Sequence, residues 1–345
     1  MKKIFLFLLG LFFVSVQTFA DTRATALLLH NGQGKSFDAD QLQQAVNEAV
    51  SGDTICLSEG TFNLNGTMTI NKDVSLIGAG GEKTILRGSL NYAIDGTPKI
   101  SRHLLDALQI TNSLEISKEQ QGLRIRKCWI GNHLYALADL KELEIDRCFI
   151  DTLAPSAHIK SASVVNSVIT YIGYNASGKP NPYPYNSTGN DWAFVNCSIL
   201  YLFSYGVNTP NTFTDASFTN CILYSIETPS YNGSERNTYT NCLSSTGYGN
   251  SSVTHNCYKQ VMNPGTNTAK NNYPSFIISG KDIGIGNVSA LDSRGYYGTD
   301  GTVVGAFGNA TPYTLETEDI TVKESILRVD PETRKLNVTL KVATE

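Results

Sequence analysis

The sequence predicts an all-β solenoid, a stack of coils that each contribute short strands to shared sheets. Two observations carry this expectation. The first is a short pattern that recurs between Leu123 and Cys257: apolar, polar, apolar, one or two polar residues, a small residue, then apolar again. With the small residue as marker at positions 128, 148, 167, 197, 221, 242 and 257, the steps are 20, 19, 30, 24, 21 and 15. A near-constant step of this length, broken by one insertion, is the signature of stacked coils. The second is alternation within each copy. Residues three before the marker (Ile125, Ile145, Val164, Phe194, Phe218, Tyr239) and two after it (Ile130, Ile150, Ile169, Ile199, Leu223) are mostly apolar and are expected to face a lumen.

The chain has 345 residues, 41% of them hydrophobic, which is enough for a sizeable core. Net charge is -4 with no basic block, so nucleic acid is not an expected partner. The first residues are Lys2 and Lys3, an apolar run from Ile4 to Val16, and Thr18-Phe-Ala20 before Asp21. This reads as a signal peptide (residues 1–20) cleaved after Ala20, for a secreted, periplasmic or cell-surface protein. The apolar run is short for a transmembrane segment, and none is expected later. Seven cysteines follow, most of them at the repeated marker, which favours small buried thiols over a disulfide framework. Their spacing is not that of a zinc site.

The elements follow in order. Residues 21–52 hold a strand at Ala26-Leu-Leu-Leu29 that covers an edge, then a short helix with Asp40 as N-cap, Gln43 as its reciprocal partner and Gly52 as stop. Leu42, Ala45, Val46, Ala49 and Val50 share its apolar face. Strands are expected at 54–57, 60–62, 67–70, 74–77 and 84–86, each ended by Gly, Asn or Asp.

These residues carry a resemblance. Gly52-Asp-Thr-Ile-Cys-Leu-Ser-Glu-Gly-Thr-Phe62, Ile70-Asn-Lys-Asp-Val-Ser-Leu-Ile-Gly-Ala-Gly80 and Thr84-Ile-Leu-Arg-Gly88 resemble the opening coils of proteins in the pectate-lyase-like superfamily. The resemblance covers about residues 38 to 308. It implies a right-handed parallel β-helix over 53–308 with a short N-terminal capping α-helix. A helix laid across an open coil end buries apolar groups and backbone that would otherwise recruit another chain.

Within the coils, outward residues two and four before the marker are Arg124 with Arg126, then Glu144 with Asp146. Stacking in register sets Arg124 over Glu144 and Arg126 over Asp146, about 4.8 Å apart, as a surface ion-pair ladder. The residue before the marker is Asn at 166, 196, 220, 241 and 256, a residue that tolerates the left-handed bend and can bond its equivalents above and below. The one long step, from Ser167 to Cys197, holds a Pro- and Gly-rich insertion expected to leave the stack as a loop. Tyr174, Tyr183 and Tyr185 in it, with Tyr201, Tyr205 and Tyr231 from following coils, form a candidate platform for sugar rings, or pack the loop against the stack.

Last strands are expected at 282–286 and 301–308, the latter inside Asp300–Tyr313, which is similar to the closing segment of many secreted bacterial β-helix proteins. Residues 309–345 form a tail with a β-hairpin extension, Ile320 to Val329 and the alternating Leu336, Val338, Leu340 and Val342. It caps the stack or meets a protein partner.

Enzymes of this superfamily mostly cut acidic polysaccharides, as lyases with a Lys or Arg base and Ca2+, or as glycosidases with paired carboxylates. Cys128-Trp-Ile-Gly-Asn-His133 loosely resembles the Trp-Ile-Asp-His stretch of pectate lyases, with Gly131 in place of the acid. No Arg-x-Pro-x-x-Arg or Gly-His-Gly segment is present, so no catalytic role transfers. The densest ionisable group in adjacent coils is Arg124, Lys127, His133, Glu144, Asp146 and Asp151. Three functions stay open: a polysaccharide-binding solenoid without cofactor, a lyase (with Ca2+) or hydrolase, and a scaffold in a surface assembly.

Overall fold

The computed structural model describes residues 24–94, 103–154, 158–173, 191–203, 216–227, 237–244, 248, 253–257, 277–279, 282–284, 288–292, 295–316, 320–329 and 336–344. The expected signal peptide lies outside them. The described chain is a parallel β-solenoid built on two long sheets, one of twelve strands and one of ten. Each coil gives one strand to the first sheet, turns at a bend residue, and gives the next to the second. Thus Arg124–Arg126 precedes Trp129–Ala136, and Leu143–Asp146 precedes Phe149–Leu153.

The expected registers hold. Ile55, Leu76, Leu105, Ile125, Ile145, Val164, Phe194, Phe218 and Tyr239 stand in one column on the lumen side of the twelve-stranded sheet, all buried. Ile110, Ile130, Ile150, Ile169, Ile199 and Leu223 form the facing column. At the C-terminal end the first column becomes aromatic. Phe194 and Phe218 stack at 4.7 Å and 8°, and Phe218 and Tyr239 at 5.0 Å and 14°.

From Ala107 onward, one left-handed residue makes the bend between the sheets. Lys127, Arg147, Asn166, Asn196, Asn220, Asn241 and Asn256 all have φ between 48° and 57°, as does Ala107 one coil earlier at 55°. This left-handed conformation costs a residue other than Gly about 1–2 kcal/mol, least for Asn, which explains the Asn column. Part of that column is a hydrogen-bonded ladder: Asn256 donates to Asn241 at 2.7 Å and Asn241 to Asn220 at 3.4 Å. The marker after the bend is a buried thiol from Cys128 to Cys242, with Ser167 in the gap. Cys148, Cys197, Cys221 and Cys242 each reach the carbonyl two residues back and one in the preceding coil, at 3.2–3.5 Å. All seven cysteines are free thiols.

The N-terminal end is closed as expected, with corrections. Thr25–His30 pairs antiparallel with the first-coil strand Thr54–Leu57 and with Gln33–Asp38 through a turn whose Asn31 and Gly32 both have positive φ. The helix is Leu42–Glu48, entered by a 3-10 turn at Ala39–Gln41. Its capping box is Asp38 with Gln41, two residues before the expected pair, because the strand runs straight into the helix. Gln43 instead bridges to the Thr69 backbone. Leu42, Ala45, Val46 and Ala49 are buried, whereas Val50 is exposed. Lys72 Nζ meets the Ala49 carbonyl at 2.6 Å, capping the helix C-terminus.

A second correction concerns the end of the chain. Asp282–Gly284 pairs antiparallel with Ile277–Ser279, and residues 301–308 form turns instead of adding a coil. The segment 295–316 runs back along the outside. Gly305 N–H donates to the Asn220 carbonyl (2.8 Å), Ala306 N–H to Ser198 Oγ (3.0 Å) and Asn166 to Thr311 Oγ1 (3.0 Å). Gly81 N–H then donates to the Leu315 carbonyl (2.8 Å). Val303, Val304 and Ala306, with Leu291 of the helix Val288–Asp292, bury themselves on Phe149, Val168, Ile222 and Leu243. Those four follow the marker directly and point out of the stack, so an apolar outward row meets an apolar return strap. A Cβ on Gly305 (φ 92°) would lie 2.6 Å from Ile222 Cδ1, so the strap touches the sheet only with glycine there. The tail strands Ile320–Val329 and Leu336–Thr344 pair as the expected hairpin.

Two stability measurements check this account. Phe218→Ala opens the middle of the aromatic column and is expected to cost roughly 3–5 kcal/mol in denaturant unfolding. Ala107→Gly relieves the left-handed bend and is expected to add about 1 kcal/mol. Unchanged stability in the first, or a loss in the second, would contradict it.

Candidate functional site

The six ionisable candidates are divided by the fold into two groups. Arg124, Glu144 and Asp146 stand on the outer face of the twelve-stranded sheet, while His133 and Asp151 belong to the ten-stranded sheet. Lys127 sits at the bend between them, buried. Adjacent coils bring residues together only when they share a strand row, and these two sets do not.

On the twelve-stranded sheet the register is the expected one, Arg124 beside Glu144 and Arg126 beside Asp146. The ion pairing differs. Arg124 Nε meets Glu144 Oε2 at 2.7 Å, both more than half exposed. Arg126 turns the other way and grips Asp106 of the preceding coil with two bonds, 3.1 and 2.5 Å. Asp146 is taken by Arg147 at 2.8 and 2.9 Å and by Asn166 at 3.3 Å, which leaves Arg126 the better-buried Asp106. A shallow cavity of about 290 Å³ lies among Leu104, Arg124, Ile125, Arg126, Glu144 and Asp146. Each of its charged residues has an opposite-charge partner, Arg124 and Glu144 in each other and Arg126 and Asp146 in Asp106 and Arg147 beside it, and an exposed pair such as Arg124–Glu144 contributes about 0–1 kcal/mol.

The second group is more distinctive. His133, Thr152, Tyr171, Tyr201 and Ser225 occupy one row across five consecutive coils. Tyr171 and Tyr201 are stacked at 5.1 Å with their rings 10° from parallel, each partly exposed. Asp151 adjoins the row. Burial pushes its carboxyl up from the ordinary value, and the Thr152 hydroxyl, donating at 3.2 Å, partly offsets this. Burial also raises Tyr171, with further contributions from Tyr201 and from the Asp151 charge. His133 is pulled down by burial.

A bulge falls between Ile130 and His133, and a Cβ on Gly131 would lie 2.6 Å from the Thr111 carbonyl oxygen. An acidic side chain there would require the backbone to shift. The equivalent position one coil later, three residues after its marker, is Asp151. A further histidine, His103, has 1% of its surface exposed and lies 2.6 Å from Asp73. It is sealed from solvent, and burial lowers its pKa.

Of the tyrosine platform, Tyr201 is in this row, whereas Tyr174, Tyr183, Tyr185, Tyr205 and Tyr231 lie outside the described residues. Tyr171 was not singled out by sequence reasoning. Its signal was present, since Tyr171 and Tyr201 both stand four residues after their markers. Among the described residues no cluster of His, Cys, Asp and Glu is suited to hold a metal ion, and no helix is long and apolar enough to cross a membrane. Compared with protein-family models, with curated proteins and with solved structures, the chain has no match.

Asp151 has a testable pH signature. Its folded-state pKa is raised, so the fold holds this proton more tightly than the unfolded chain does. The group therefore favours folding at acid pH and opposes it as pH rises through the folded-state value. Asp151→Asn is expected to raise the melting temperature at pH 7, with the gain vanishing below pH ~3.9, where the unfolded chain's aspartate is also protonated. An equal gain at both pH values would contradict the buried carboxyl.

Proposed function

We propose that this protein is an exported β-helix of the pectate-lyase-like type whose outer row at Tyr171 and Tyr201 binds polysaccharide. The observation that carries the reading is the stacked, partly exposed tyrosine pair beside Asp151 on an otherwise rigid sheet. Stacking fixes the rings without side-chain entropy left to lose on binding, and it aligns their edges and hydroxyls one coil apart. Sugars suit such a surface because they offer C–H edges to aromatic rings and hydroxyls to phenol and carboxyl oxygens. The row runs along the solenoid axis, so a glycan chain lying on it would meet one coil after another at about 4.8 Å intervals.

A second reading is hydrolysis or elimination by the same site. It is favoured by one feature, the raised Asp151 carboxyl near His133, which suits a general acid. A glycosidase needs a second carboxylate opposite it, and the other carboxylate candidates, Glu144 and Asp146, stand on the twelve-stranded sheet.

Affinity electrophoresis against a panel of neutral and acidic polysaccharides tests the proposal. Retention by at least one polymer is expected, and Tyr171→Ala or Tyr201→Ala should each weaken it roughly fivefold, for about 1 kcal/mol per ring. Arg124→Ala, on the other sheet, should leave it unchanged. Retention by none of the polymers, or equal retention of the tyrosine variants, would refute the binding row. New reducing ends or unsaturated-end absorbance would move the assignment to the enzymatic reading.

A further inference from the structure

The thiol column ends in a pair with different surroundings from the rest. Thr240 is in register with His255, so Cys242 and Cys257 hold the same position in consecutive coils. Cys257 Sγ leans toward the preceding coil, 3.5 Å from the Cys242 amide nitrogen and 3.3 Å from the Tyr239 carbonyl oxygen. The neighbouring Cys242 side chain and burial push the Cys257 thiol up. Residues one rung apart have Cα atoms about 4.8 Å from each other, inside the roughly 4.4–6.8 Å that a disulfide spans.

Access separates this pair from the others. Cys128, Cys148, Cys197, Cys221 and Cys242 are buried, whereas Cys257 is half-buried. The remaining half-buried thiol, Cys56, has Leu27 and Ile77 as its register neighbours and no thiol partner there. Only Cys257 is both reachable from solvent and in register, one coil on, with a second thiol.

We propose that Cys242 and Cys257 are an oxidisable dithiol that closes to a disulfide by exchange with a disulfide-bearing oxidant, pinning the Val253–Cys257 coil to its neighbour. The Cys257 thiolate attacks one sulfur of the oxidant, whose S–S bond breaks and releases one thiolate, leaving a mixed disulfide. Cys242 then turns about its Cα–Cβ bond, away from the Phe218 and Thr240 carbonyls at 3.3 Å, and loses its proton. Its thiolate attacks the Cys257 sulfur and expels the second oxidant thiolate. In total the two cysteines give up two protons and two electrons, and the oxidant's disulfide becomes two thiols.

The test incubates the full chain with oxidised glutathione, blocks remaining thiols with a maleimide without reduction, and maps the cysteines by mass spectrometry. A Cys242–Cys257 cross-linked peptide is expected, absent after reduction, together with a higher melting temperature of the oxidised protein. Cys56 reports that oxidant was active by forming a glutathione adduct. Cys242→Ser should arrest the reaction at a glutathione adduct on Cys257. Two results would overturn the proposal: wild-type Cys257 ending as a glutathione adduct beside a free Cys242, or both remaining thiols after Cys56 has reacted. The decisive readings come from the wild-type protein, so they stand whether or not the variant folds.

Discussion

Register between coils is the constraint from which the other features follow. A parallel strand that slipped by one residue against its neighbour would turn every lumen side chain outward. The column from Ile55 to Tyr239 prevents that slip because each rung buries an apolar side chain on the one before it. From Ala107 on, the left-handed residue at the bend enforces the same register locally. With φ near 50° at Lys127, Arg147 and the five asparagines alike, these coils turn at equivalent points, and the small residue after the bend, a thiol except at Ser167, takes the same position in each. Lys127, Arg147 and Ala107 adopt this conformation without asparagine's tolerance, so the stack imposes the bend and asparagine only eases it.

The return strap is a second consequence. A solenoid's outer surface is expected to be polar, yet Phe149, Val168, Ile222 and Leu243 form an apolar row on it. Segment 295–316 covers that row and bonds to coils from Asn220 back to Gly81. A stack in which each coil touches only its neighbours is thereby tied across several coils at once, so distant coils gain a shared contact that nearest-neighbour stacking does not supply.

The same register sorts the surface chemistry. Charged residues at the twelve-stranded sheet satisfy one another, and their arrangement depends on side chains arriving from three different coils. The row through Tyr171 and Tyr201 is built differently, from aromatic rings repeated at one height. Its ionisable neighbours Asp151 and His133 are shifted toward their neutral forms by burial instead of being held charged by partners. That contrast separates the row from the ion-pair ladder, whose groups are held charged by partners.

The period, the two lumen columns, the thiol markers and the bend asparagines were legible in the sequence because each depends on alternation or on one residue's backbone preference. Both are local properties that repeat. The cap helix was legible too, though its N-cap fell on Asp38 because the preceding strand ended there. What the sequence by itself determined, then, is the coil and its inward face. The tertiary structure alone decided which outward groups meet: Arg126 with Asp106 instead of Asp146, the segment 301–308 over the outer row instead of in the stack, and Asp151 near Tyr171 but on a different sheet from Glu144. Such contacts join residues whose spacing in the chain carries no period, and their choice is made by competition among neighbours that only folding brings within reach.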